Sequence, residues 1–102
     1  MSLPRSQFES AALAVALRSV VDLAEELDQV GLTPGPVELH QRDHSTGMKA
    51  SEIEICFYRD KELVDVLEFF VWKNEGPTAT LPEIKEWLKD SIRDVAARQK
   101  PS

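Results

Sequence analysis

At 102 residues, with 42% apolar and 29% charged side chains, the chain is sized and composed for one folded domain over 1–102; it is too short for two separate cores and too apolar for disorder. Its net charge of −6 argues against nucleic acid as a partner, because phosphates are neutralised by Lys and Arg. The single cysteine, Cys56, excludes an intrachain disulfide and a thiolate zinc site and fits a reducing, cytoplasmic setting, and no apolar run approaches the ~20 residues that cross a bilayer.

Ser6 and Glu9 have the S-x-x-E spacing of a capping box, which predicts a helix start. The apolar run Ala11 to Leu17 then reads as helix rather than secretion signal, since Glu9 precedes it and Arg18 interrupts it. Ala12, Leu13, Ala16, Leu17, Val20, Leu23, Ala24 and Leu27 share one arc opposite Arg18, Asp22, Glu25 and Gln29, predicting an amphipathic helix of about six turns. Gly31 supplies a left-handed end, and Pro34-Gly35-Pro36 prevents continuation.

Val37 to Gln41 alternates as a short strand and ends in the polar loop Arg42 to Gly47. Ile53, Ile55 and Phe57 alternate with Glu52, Glu54, Cys56 and Tyr58 in a second strand, and Arg59-Asp60-Lys61-Glu62 reads as a hairpin connection into a third, Leu63 to Trp72. Asn74 to Pro77 breaks that strand. Thr80 and Glu83 repeat the capping-box spacing, with Pro82 in the first turn, and start a helix that buries Leu81, Ile84, Leu88, Ile92 and Val95, borders on Trp87 and ends before Pro101. The fold class expected is α+β: a two-layer domain of order α-β-β-β-α, with a three-stranded antiparallel meander and two helices on one face.

That order is shared with double-stranded RNA-binding domains, but those rely on a basic cluster at the start of the last helix, where this chain reads Leu81-Pro82-Glu83-Ile84-Lys85-Glu86. Catalytic signals are equally thin. His40 and His44 stand four residues apart on a strand end and a loop, not on a helix that would align them, so no metal and no cofactor are expected. Ser45-Thr46-Gly47 lacks the glycine spacing and lysine of a phosphate loop, and Cys56 has no base or positive dipole placed beside it by the local sequence. Glu52, Glu54, Asp65 and Glu68 lie on neighbouring strands without a nucleophile to serve.

The third strand is apolar on both sides, with Val64, Val66, Phe70 and Trp72 on one and Leu63, Leu67, Phe69 and Val71 on the other. A two-residue turn at Asp60-Lys61 joins Ile53, Ile55 and Phe57 to the first set and leaves the second, with Tyr58, on the side without helices. The expected interface is therefore Tyr58, Leu63, Leu67, Phe69 and Val71, used in a homodimer, and Asp22, Glu25 and Glu26 form an acidic docking surface for a protein partner. These features predict a small acidic non-catalytic protein-interaction module, self-associating and acting as an inhibitor or chaperone-like partner. The alternative is a small-molecule site or small enzyme between sheet and helices near Trp72, Trp87, Tyr58 and His40.

Overall fold

The computed structural model describes residues 3–99. Helix α1 (Arg5–Asp22) and the short α2 (Ala24–Gln29) precede four antiparallel strands, β1 (Thr33–Gln41), β2 (Ala50–Arg59), β3 (Glu62–Lys73) and β4 (Gly76–Pro77), and α3 (Leu81–Arg98) follows. The sheet order is β1-β2-β3-β4, an up-and-down meander, and the fold is α+β. The fourth strand is a two-residue addition to the three expected; Asn74, at φ 58°, turns the chain so that Gly76 and Pro77 pair with Lys73 and Trp72. No helix among the described residues is long and apolar enough to cross a membrane.

Helix α1 does not begin as its sequence suggests. Pro4 occupies the N-cap position with no side-chain cap, and Ser6 lies inside the first turn. Glu9 turns inward instead: it is buried, accepts hydrogen bonds from Ser51 Oγ and Gln41 Nε2, and pairs with Arg5 Nε at 3.3 Å. Arg5 also holds Asp43 at 2.8 Å and donates to the carbonyl of Ala50, tying the start of α1 to the loop between β1 and β2. A buried carboxylate is tolerable only with such partners.

The expected six-turn helix is broken at Leu23, whose backbone (φ −107°, ψ 11°) leaves helical geometry. One turn earlier Ser19 Oγ donates to the carbonyl of Val15 at 2.8 Å, a back-bond that bends helices. Gly31 (φ 75°) ends α2 in a Schellman motif, with Leu32 N–H donating to Leu27 O and Gly31 N–H to Asp28 O. Leu23, Leu27 and Leu32 are all buried as a result.

On α3 the expectations hold except at Leu81, which is only partly buried. Thr80 and Glu83 form the reciprocal capping box, and Ile84, Leu88, Ile92 and Val95 are buried. Pro101 lies outside the described residues. On α1 the buried stripe is Phe8, Ala12, Ala16 and Val20, while Leu17, expected in the core, is 49% exposed because α3 packs on the other side of it.

β1 runs further toward its N-terminus than expected. Pro34 lies within it opposite Phe57, and the register shifts between Pro34 and Val37. Proline is compatible with this position because β1 is the sheet edge, where a missing N–H leaves no ladder bond unmade.

The largest correction concerns β3. The turn at Asp60 and Lys61 (φ 50° and 70°) has the expected two-residue form, with Arg59 opposite Glu62 and Tyr58 opposite Leu63. Beyond it, however, Phe57 lies opposite Asp65, so Val64 is an extra residue in a bulge. One extra residue exchanges the two sides of the strand. Leu67, Phe69 and Val71 consequently join Ile53, Ile55 and Phe57 on the helix side, and Val66 and Phe70 face away from it.

Candidate interaction face

The side of the sheet that carries no helix is built from alternating rows across β1, β2 and β3. Tyr58 and Leu63 form its first row, Cys56 and Val66 the second. Glu38, Glu54 and Glu68 pair directly across three strands in the third, and His40, Glu52 and Phe70 in the fourth. Leu63 is 51%, Val66 36% and Phe70 40% exposed, so this face combines apolar side chains with a carboxylate row.

The carboxylates are close. Oxygens of Glu52, Glu54 and Glu68 lie within 4.8 Å of one another, and His40 Nε2 is 3.9 Å from both Glu38 Oε2 and Glu54 Oε1. Arg42 Nη2 reaches Glu52 at 3.5 Å. Like charges set directly opposite each other across strands destabilise a sheet, so this row is maintained against a small electrostatic cost. The close oxygens of Glu52, Glu54 and Glu68, which span this row and the next, are a donor set of the kind that suits a hard divalent cation. Cys56 is unsuited to nucleophilic work, since burial and the adjacent Glu54 carboxylate push its thiol up.

The face continues around the edge of β3 into an apolar groove of about 420 Å³ lined by Phe69, Phe70, Ala79, Ile84 and Trp87. Phe69 and Trp87 pack there in a tilted arrangement, 5.0 Å between ring centroids and 55° between planes, and Lys73 Nζ lies 4.9 Å above the Phe70 ring. Thr78 and Glu83, the polar groups of the groove, are already engaged, the first by the carbonyl of Phe70 and the second by the α3 capping box.

Of the residues expected at an interface, Tyr58 and Leu63 lie on the helix-free face. Leu67 and Phe69 are half-buried against the core on the helix side, and Val71 is fully buried in it; the bulge at Val64 moved all three. Asp22 is bridged by Arg18 and Lys89 and Glu26 by Arg93, while Glu25 is exposed. Asp65 belongs to the helix side, where Arg98 holds it at 3.0 Å. Trp72, packed against Phe8, and Trp87, packed against Phe69, line different cavities, and Tyr58 and His40 lie on the far side of the sheet.

Sequence reasoning placed Glu54 and Glu68 on neighbouring strands but missed Glu38 as the third member of their row and Val66 and Phe70 as exposed neighbours. The signal was present in Glu68 itself, since a carboxylate between Leu67 and Phe69 marks the solvent side of an otherwise apolar strand. No protein-family model, curated protein or solved structure matches the chain.

Proposed function

We propose that this chain is a small acidic non-catalytic protein-interaction module that engages other protein through the helix-free face of its sheet. The observation that carries the reading is the presence of Leu63, Val66 and Phe70, each more than a third exposed, on a face that no helix of the described residues covers. Apolar side chains surrounded by polar groups are the composition of interaction surfaces, and the like-charged row adds a selectivity that a core-like patch lacks. An inhibitor or chaperone-like role, in which the module masks a surface of its partner, follows from a broad shallow face without catalytic groups.

The same reading includes self-association. Two copies meeting about a twofold axis at Leu63 and Val66 bury the apolar end of the face and set the carboxylate rows toward the rim. A small-molecule site in the groove beside Trp87 is the second reading; it is favoured by the groove's apolar lining but lacks free polar groups to orient a ligand.

The test is a comparison of baits in extract of the native host: wild type, Val66→Asp, and Leu17→Asp as a surface control on α1. Proteins retained by wild type and Leu17→Asp but lost from Val66→Asp support the face. Retention by all three removes it.

A further inference from the structure

We infer that the helix-free face receives a basic segment of a partner protein, which sets Lys or Arg side chains over the Glu38–Glu54–Glu68 row and apolar side chains over Leu63 and Val66. This inference rests on the reading of that face as a protein-interaction surface and adds the chemistry of what it binds. On the helix side Asp65 is held by Arg98, and the exposed acids of α3, Glu86, Asp90 and Asp94, each follow a base in sequence, Lys85, Lys89 and Arg93. The three aligned glutamates have no Lys or Arg partner among the described residues; Glu38 and Glu54 pair only with His40, Glu54 also accepts from Cys56 Sγ at 3.8 Å, and Glu68 enters no ion pair among them.

Geometry makes the row a matching element rather than a diffuse charge. Neighbouring strands are ~4.8 Å apart and successive rows on one face ~7 Å apart, so the carboxylate row and the Val66 row beside it are separated by about two extended residues. A segment with a cation one such step from an apolar side chain satisfies both rows at once. Guanidinium suits the site best, because it can bridge two carboxylates with directed hydrogen bonds. A second copy of the chain in the same place would bring its own glutamates against these, which is the opposite of complementary charge.

The experiment is an amide-resonance titration of the full chain with two short synthetic peptides that share one leucine pattern, one carrying arginine and the other glutamate at the remaining positions. Calcium and magnesium chloride are titrated separately. The arginine peptide is expected to shift the resonances of Glu54, Val66 and Glu68, to bind less tightly as salt rises, and to weaken roughly tenfold in a Glu54→Gln, Glu68→Gln double variant. Binding that is unaffected by the double variant, or that maps to α3, overturns the inference. So does a response of the same resonances to calcium or magnesium without one to the arginine peptide. If the glutamate peptide binds the same face and Val66→Asp abolishes it, the basic partner is wrong and the interaction face stands. Silence of both peptides counts against both.

Discussion

Phe57 lies opposite Asp65, which leaves Val64 without a partner on β2. That one unpaired residue decides which half of β3 faces the helices. Without it, Glu68 would project between the helices and Ile53 and Ile55, where burying a carboxylate without a partner costs several kcal/mol. With it, Glu68 reaches solvent, Asp65 arrives at the margin beside Arg98, and Leu67, Phe69 and Val71 complete an apolar surface. The bulge is therefore the arrangement that keeps Glu68 out of the core, and Asp65, which it brings to the helix side, is met there by Arg98.

Side-chain truncation distinguishes the two sides. Phe57→Ala is expected to cost about 3–5 kcal/mol, as for a fully buried aromatic residue. Val66→Ala, on the open side, should change stability by less than about 0.5 kcal/mol. Urea denaturation measures both. Equal losses would mean that the two side chains share an environment and that the bulge is misplaced.

The helix faces carry a parallel contrast. Leu88 is fully buried and Leu17 half exposed, so Leu88→Ala should lose about 2–5 kcal/mol and Leu17→Ala well under 1 kcal/mol. A large loss at Leu17 would show that α1 is rotated relative to α3 or that another surface covers it.

Glu9 offers a third test because its partners are known. Arg5→Leu removes the cation beside a buried carboxylate and is expected to cost about 3 kcal/mol or more. Replacing both Arg5 and Glu9 by leucine should be less damaging than the Arg5 change alone, since no unpaired charge then remains inside. If thermal melts show the two changes simply adding, Glu9 is hydrated rather than held by Arg5.

How far these features could be read in advance depended on whether their causes were local. The Asp60-Lys61 turn, the Thr80–Glu83 cap and the buried stripe of α3 are set by residues close in sequence, and each is present as expected. Ser6 and Glu9 have the same spacing as Thr80 and Glu83, yet Glu9 binds Ser51, a partner 42 residues away that no local motif reveals. Leu17 was misplaced because Ala11 to Leu17 is apolar on nearly every side, so periodicity could not choose an arc. The Val64 bulge escaped because period-2 alternation is preserved on either side of an inserted residue while its sense is reversed. The candidate face depended on that reversal. Its acids were legible, but their alignment and apolar neighbours were not.

Acid should loosen two ends of the structure. Asp43 is held below its ordinary value of 3.8 chiefly by its hydrogen bonds with Arg5, and Glu83 below 4.5 by the N–H and hydroxyl of Thr80. The folded state thus binds fewer protons at these groups than the unfolded chain. Their contribution is present above the ordinary values and lost as pH falls through the lowered ones. Melting temperature is expected to decline as pH drops below about 4, and Glu83→Gln should make the decline shallower. A variant that retains the full acid sensitivity of wild type would remove Glu83 from the effect.

The row of glutamates yields the last expectation, in which stability and binding move in opposite directions. Glu54 stands between Glu38 and Glu68, directly opposite each, and its side chain is 25% exposed. Two like-charged cross-strand neighbours each disfavour the sheet by a few tenths of a kcal/mol, so Glu54→Gln should stabilise the fold by about 0.5 kcal/mol at low ionic strength. The gain should shrink as salt screens the repulsion it relieves. By the same logic, self-association of the wild type through the apolar end of the face should tighten with salt, and in Glu54→Gln it should be tighter from the outset and less dependent on salt. Denaturation and sedimentation at low and high salt measure the two effects on the same samples. If Glu54→Gln is destabilising at both ionic strengths, the carboxylate is making a favourable contact with His40 that outweighs the repulsion, and the row is a structural network rather than charge held in readiness for a cation.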